Sequence, residues 1–383
     1  MRYVGLPKTT GYGAAGVALV AAMRMIGIKV IWETLQSVRN PAKYSVAEIE
    51  SVRLADAADV RQATILHVVP EYYPALIARE RAIGVEKIIG HTVWETDRLP
   101  DRWAELVNQL DAVIVPTDWN RQLFQSSGVT IPIIVSPHLP RAESSSPPFE
   151  QERLRKRLPE LGNRYLFYSI ATWLERKGIG PLIEAFAAAF SNEDAVALII
   201  KTTPFDLEKI DPDTGFPLSV RPQFVDILKD AFLRHGRMPP TIHLLTDELT
   251  IGEMDALHDM GDCYVSLSRA EGWGLGAFEA ALKGRAVIIT GWGGPTAYLA
   301  ADDSYFVDWT LVPVSPGAPN ESYTARQNWA EPQIGSAVRA LRDVFFQPEL
   351  ARLRGQSAAS RLREMILPEI EARKLCRTIF CDI

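Results

Sequence analysis

The sequence predicts an α/β protein made of two doubly wound, Rossmann-like domains. Three observations predict it. Short, continuously apolar runs alternate with segments of three-to-four apolar spacing, as parallel strands do when helices cover both faces of their sheet. Glycines gather just after several strands, where open parallel sheets bind their ligands. The chain has 383 residues, too many for one ordinary core. Apolar content of 47% and charged content of 23% are those of a soluble globular protein. A net charge of −6 argues against a nucleic-acid partner. Three scattered cysteines make no disulfide framework, and Cys376 and Cys381 lack the second pair a zinc site needs, so a reducing cytoplasm is expected. No apolar run reaches the roughly 20 residues that span a membrane. Ala14–Met23 comes closest, but neighbouring glycines and a following β-like segment make it a folded helix and not a signal peptide.

Taken in order, Tyr3–Leu6 is the first strand, and a loop ending in TGYGAAG follows it. Gly11, Gly13 and Gly16 have the spacing of a dinucleotide fingerprint. Against that reading, four residues separate strand and first glycine, and only Glu33 follows the next strand, Lys29–Trp32. An NAD(P)-dependent oxidoreductase therefore stays open as an alternative. Strands are expected at Ala63–His67, Lys87–His91, Ala112–Val115 and Ile133–Ser136, and helices at Tyr73–Ile83, Asp101–Gln109 and Trp119–Ser126. Thr117 reads as the cap of the last of these. His91 ends a buried strand, and Trp94, Glu95, Asp97 and Arg98 follow before Pro100. That is where site residues collect, although a core histidine and a plain loop charge explain His91 and Glu95 as well.

Arg141–Asn163 marks a boundary, with SSSPP and then the charged helix QERLRKRL. Arg153, Arg155, Lys156 and Arg157 suit a solvated hinge helix, or contact with an anionic membrane surface. Beyond it, Tyr165–Ala171 is a strand and Gly180–Phe190 a helix, with Arg176, Lys177 and Gly178 between them. Two cations on such a loop can neutralise a diphosphate and make it a better leaving group. Val196–Lys201 ends on a lysine, DLEKIDPDTGFPLS reads as an irregular insertion, and Ile242–Leu245 is a further strand.

The most informative stretch runs from Tyr264 to Tyr298. Tyr264–Ser268 is a strand, Arg269–Gly276 a loop with Gly272, Gly274 and Gly276, Ala277–Lys283 a helix, and Ala286–Thr290 a second strand. The glycines let a backbone approach a ligand without a Cβ in the way. The N–H groups opening the helix favour an anion such as a diphosphate. Glu279, one turn into the helix, suits a ribose diol, because a carboxylate accepts two hydrogen bonds. Glu271 stands on the loop, placed for hydroxyls on the far side of the diphosphate.

This stretch resembles the signature of the retaining, nucleotide-sugar-dependent glycosyltransferases of the GT-B fold, family four. Their pattern is Glu-Gly-aromatic-Gly-Leu-x-x-x-Glu-Ala with a Gly-Gly loop further on. Here it is met by Glu271, Gly272, Trp273, Gly274, Leu275, Glu279, Ala280, Gly293 and Gly294, while Gly276 stands where the family usually has proline. The resemblance is strongest over 263–298, good over 87–140 and 165–201, and thin over 203–240 and 308–325. It implies two Rossmann-like domains facing a deep cleft. Residues 1–140 would bind the acceptor, 141–163 would link, 164–360 would bind the donor, and 361–383 would hold a helix crossing back. It further implies a donor cradle of Glu279, Gly274, Leu275, Gly276 and Lys201, with Gly13 of the first loop near the diphosphate. Lys177 and Arg176 would stabilise the leaving group, although the family's arginine more often stands earlier, at Ala171–Thr172 here. Glu271 and His91 would flank the transferred sugar, and Trp94 and Glu95, within Trp-Glu-Thr-x-x-Leu-Pro, would face the acceptor. The implied enzyme is a metal-independent hexosyltransferase without a cofactor. It would use a GDP- or UDP-linked sugar and a glycan or lipid-linked acceptor, in surface-polysaccharide assembly. Its implied place is the cytoplasm, with peripheral contact at the inner membrane. A non-catalytic nucleotide-sugar-binding module is the other reading of the same residues.

Overall fold

The computed structural model describes residues 1–7, 10–35, 62–141, 148–315 and 322–382. They form two compact units, Met1–Ala142 with Met365–Ile383, and Glu143–Glu364. Most of SSSPP and part of the polar loop after Asp308 lie outside the described residues.

Unit 1 holds one parallel sheet of β1 (Arg2–Gly5), β2 (Ile31–Thr34), β3 (Ala63–His67), β4 (Lys87–His91), β5 (Ala112–Val115) and β6 (Ile133–Val135). The order is β2-β1-β3-β4-β5-β6, so the chain leaves β1 to one side and returns to β3 on the other. That reversal opens a crevice at the C-terminal ends of β1 and β3. β3 and β5 are buried throughout, as their unbroken apolar runs require. Among the described residues, helices α1 (Gly11–Met25), α2 (Tyr73–Ala82), α3 (Trp103–Val107) and α4 (Asp118–Ser126) accompany these strands. Thr117 caps α4, its side chain accepting the Asn120 N–H at 3.0 Å. The expected glycine loop after β1 is instead the first turn of α1. Thr10 caps that helix by accepting the Gly13 N–H, which draws Gly11 and Gly13 into helical geometry. The C-terminal helix Pro368–Arg377 packs on α1, and Lys87 Nζ donates to Ile379 O at 2.8 Å.

Unit 2 has a second parallel sheet of β7 (Tyr165–Ile170), β8 (Val196–Lys201), β11 (Thr241–Leu245), β12 (Cys263–Ser266), β13 (Ala286–Thr290) and β14 (Tyr305–Val307). Its order, β11-β8-β7-β12-β13-β14, reverses between β7 and β12. The loops after those two strands carry Lys177 and Glu271. Helices α5 (Pro148–Lys156), α6 (Ile179–Ala189), α7 (Val220–His235), α8 (Ile251–Met260), α9 (Leu275–Leu282), α10 (Ile334–Phe346) and α11 (Pro348–Met365) complete the unit. Its core includes Phe167, Phe186, Phe190 and Ile288, all buried. The insertion read as irregular forms an antiparallel hairpin, β9 (Phe205–Ile210) with β10 (Pro217–Ser219). Its alternation is inverted: Phe205 and Leu207 lie in solvent while Asp206 is buried. A second ribbon pairs β15 (Trp309–Pro313) with β16 (Asn328–Pro332).

Candidate functional site

In unit 2 the site is built from three backbone segments that touch where only glycine fits. Gly178 caps α6 with φ +61°, and a Cβ there would stand 1.9 Å from Leu267 O. A Cβ on Gly294 would stand 1.9 Å from Gly272 O, and the Gly294 N–H already donates to Glu271 O at 2.9 Å. So the loops after β7, β12 and β13 are seated on one another by their main chains, which fixes the side chains they carry. The Arg269 N–H and the Ser268 hydroxyl both donate to Arg176 O, at 2.7 and 3.0 Å. Glu208, from the inserted hairpin, accepts the Glu175 N–H at 2.7 Å and so braces the short turn Glu175–Lys177.

On this frame Lys177 Nζ donates to Glu271 Oε1 at 2.5 Å, and Arg176 Nη1 lies 3.9 Å from Glu271 Oε2 and donates to Ala270 O at 3.1 Å. Burial would raise the Glu271 carboxyl, but Lys177 and then Arg176 outweigh it and hold its pKa below the usual value. The three charged side chains are about 15% exposed, enough to meet a ligand and little enough to strengthen their pairing. Gly274, the residue before α9, lies in the left-handed region with φ +84°, and no side chain caps the helix. Glu279 lies one turn in, its side chain 20% exposed. The buried Tyr264 and Tyr298 line the same loops. Burial first, and Glu271 and Glu279 after it, push both phenols up, so they stay protonated and donate to Ile170 O and Gly274 O.

Arg269 joins a further layer to these loops. Its guanidinium makes a two-pronged pair with Glu331 of β16, lies 5.7 Å over the Trp329 ring, and donates to Glu175 O at 2.7 Å. Its own carbonyl accepts the Ala330 N–H at 3.0 Å. The β15–β16 ribbon is thereby tied to both cation-bearing and carboxylate-bearing loops.

Unit 1 presents a different cluster at its reversal. His67 ends β3, His91 ends β4, and His138 follows β6. The His67 and His91 rings stack with centroids 3.8 Å apart and planes 8° apart. The Tyr3 hydroxyl lies 2.8 Å from His67 Nδ1 and 3.0 Å from His91 Nδ1. One hydroxyl proton serves only one of them, so the other imidazole donates to the Tyr3 oxygen and the two rings carry opposite tautomers. Burial, and then neighbouring histidines, hold His67 and His91 well below the ordinary value, and burial lowers His138 to about 4. His91 Nε2 is buried without a hydrogen bond.

No protein-family model matches the chain, and no curated protein matches its sequence. Solved structures do resemble it. HepE from Anabaena, in complex with UDP and glucose, aligns with a TM-score of 0.68 at 12% identity over 99% of this chain and 98% of its own. This chain has the GT-B glycosyltransferase fold. An α,α-trehalose-phosphate synthase (UDP-forming) from Burkholderia vietnamiensis aligns as fully, with a TM-score of 0.68, 12% identity, and 99% of each chain covered. TarM from S. aureus, in complex with Fondaparinux, alpha-GlcNAc-glycerol and UDP, aligns with a TM-score of 0.60 at 15% identity over 88% of this chain, which spans 58% of TarM. Identity this low carries the fold and not the activity.

Within this GT-B chain, Glu271, Lys177, Arg176, Gly274, Leu275 and Glu279 gather on the loops after β7 and β12 and the first turns of α9. Gly276 lies there too, for a reason other than the one expected: a Cβ on it would stand 2.5 Å from the Tyr264 hydroxyl, so the tyrosine fills the space of a larger residue. Lys201 ends β8, where its Nζ donates to Thr202 O at 3.0 Å and burial lowers its pKa. Three expected residues of unit 1 are placed as follows. The Gly13 N–H is taken by Thr10, and a Cβ on Gly13 would stand 2.0 Å from Pro7 O, so this glycine packs closely within its capped helix. Trp94 is buried, its indole donating to Thr96 at 2.6 Å and its ring edge-on to Trp103, so it organises its loop. His91 stands 2% exposed in the histidine stack. Glu95 is half-buried near Tyr12, whose phenol it helps raise after burial.

Glu33, the carboxylate a dinucleotide would need, pairs with Arg79 at 2.6 Å. On and just after α5, Arg153 and Arg157 pair with Glu253 of α8, and Lys156 with Glu152. Among the described residues no helix is long and apolar enough to cross a membrane, and no cluster of three His, Cys, Asp or Glu stands ready for a metal ion. His258, Tyr168 and Arg269 were missed by sequence reasoning, because their partners lie from 21 to 94 positions away with no local signal.

Proposed function

We propose that the protein is a retaining glycosyltransferase that moves a hexose from a nucleotide-sugar to a glycan or lipid-linked acceptor. The observation that carries this reading is the Lys177–Glu271 pair at the strand-order reversal, with Arg176 beside it and Glu279 one turn into the uncapped α9. In this reading the diphosphate sits against the start of α9, where oriented N–H groups favour an anion. Lys177 and Arg176 meet the negative charge that grows on it as the glycosidic bond breaks. Glu271 holds Lys177 in place and faces sugar hydroxyls, and Glu279 takes the ribose diol. The leaving diphosphate receives the acceptor's proton on the face the acceptor attacks, which preserves configuration without a second carboxylate. The two cations supply the charge a divalent ion would bring. UDP in the HepE and TarM complexes makes UDP-sugars the first donors to test. Surface-polysaccharide assembly in the cytoplasm, with peripheral contact at the inner membrane, is the setting we propose. In unit 1, we assign His91 to the sugar side through its buried Nε2.

The test is transfer from UDP- and GDP-sugars, with the anomeric configuration of the product read by NMR. The expected product keeps the donor's configuration, and EDTA leaves the rate unchanged. Lys177→Met should lower kcat by about 10²–10³-fold. Glu279→Gln should mainly raise the donor KM, by about tenfold. An inverted product would overturn the retaining mechanism. Nucleotide binding without any transfer would make the protein a binding module.

A further inference from the structure

We infer that His258 is a positioning residue for Glu279, setting the carboxylate that receives the ribose of the bound nucleotide. The inference rests on the donor-site reading above. His258 lies on α8 and is fully buried, with Nδ1 3.0 Å from the Tyr168 hydroxyl and Nε2 3.4 Å from Glu279 Oε2.

The proton arrangement follows from the surroundings. Tyr168 is buried on β7 and its hydroxyl can donate to or accept from His258 Nδ1; the Glu279 carboxylate facing Nε2 can only accept, which favours the proton on Nε2 and makes Tyr168 the donor to Nδ1. A neutral imidazole that accepts at Nδ1 carries its proton on Nε2, and that N–H is turned toward Glu279. Nε2 is buried and makes no hydrogen bond at its present separation, so a small shift of Glu279 toward it satisfies a donor that is otherwise stranded. Both partners of His258 are held firmly. A Cβ on Gly261 would stand 2.2 Å from the Tyr168 ring, so glycine is what admits that ring. α8 is registered on α9 by Lys283, whose Nζ lies 2.8 Å from Asp259 Oδ1 and 4.0 Å from Asp255 Oδ1.

The consequence is chemical selectivity for the ribose. Two hydrogen bonds from a vicinal diol require the carboxylate in a defined plane. An N–H donor to Oε2 fixes that plane, as outer partners of a binding group commonly do. His258 touches no ligand atom in this arrangement and acts only through Glu279.

The test is calorimetric titration of UDP and of 2′,3′-dideoxy-UDP into the wild type, Glu279→Gln, His258→Leu, His258→Gln and Tyr168→Phe, with unliganded melting temperature as a check on folding. The wild type should prefer UDP. His258→Leu should lose about tenfold for UDP and nothing for the dideoxy ligand. His258→Gln, whose amide reaches the Nε2 position, should recover most of that loss. Tyr168→Phe frees the tautomer and should lose about threefold, again for UDP alone; it decides the matter if His258→Leu does not fold. Equal losses for both ligands, or an unchanged preference while Glu279→Gln abolishes it, would overturn the role of His258 and leave the donor site standing. Failure of the wild type to bind UDP, GDP or ADP would remove the donor site and this inference together.

Discussion

The two units reverse their strand order in the same way and fill the crevice by opposite means. Unit 2 gathers charge, with Lys177, Arg176 and Glu271 balanced against one another on loops whose backbones touch at glycines. Unit 1 gathers neutral rings, with Tyr3, His67, His91 and His138 buried deeply enough that the imidazoles resist protonation. One site is held by main-chain contact and ion pairing, the other by desolvation. The first should fail when a methyl group is added, the second when protons are.

The largest effect expected is therefore from Gly294→Ala. Its Cβ would fall within 2.8 Å of three backbone atoms of the Gly272–Trp273 segment, which cannot move without shifting Glu271. A loss of about 4 kcal/mol, read by urea denaturation, is expected. A change below about 1 kcal/mol would show that the loops are not seated as described.

Next is acid. A buried histidine with a depressed folded pKa stays neutral while the unfolded chain binds its proton. Its stabilisation is complete above about pH 6.5 and is lost as the pH falls toward 4. For His138 alone that is about 3 kcal/mol, with His67 and His91 adding to it. Glu271 acts in the same direction at lower pH: its folded pKa is depressed, so its contribution is present above about 4.5 and is lost only as the pH falls below that. The stability measured across pH 4–7 should fall with acid in the wild type and fall less steeply in His138→Gln. A flat wild-type profile would contradict the sealed cluster.

How much was legible in the sequence follows the same division. Unit 2's loops could be read because glycines and charges lie within one short stretch, Glu271 to Gly294, and strand and helix periods frame them. Tyr3, His67, His91 and His138 come from four separate strands or strand ends, and only the fold brings them together. Gly11 and Gly13 looked like a ligand loop because the spacing is shared by two uses of glycine, close approach to a ligand and close packing in a capped helix. The hairpin at 205–219 was missed because its buried face carries Asp206 in place of apolar residues.

A smaller effect should come from Arg269→Met. It removes the two-pronged pair with Glu331 and the bond to Glu175 O, but keeps an apolar stem against Trp329. About 1–2 kcal/mol is expected, with faster amide exchange in 309–313 and 328–332. Unaltered exchange there would mean the ribbon is held by its own core of Ala270, Val314 and Trp329. The smallest is a compensation: Gly276→Ala should cost about 1–2 kcal/mol, of which Tyr264→Phe returns about 1 in the double variant.

The central claim, a nucleotide-sugar site built on Lys177, Glu271 and Glu279, is tested most directly by thermal stability with UDP, GDP, ADP and NAD, in the wild type and in Glu279→Ala. A ligand that binds the folded state raises the melting temperature. The account predicts a rise with a nucleoside diphosphate that Glu279→Ala abolishes. A rise with NAD alone, untouched by Glu279→Ala, would contradict it.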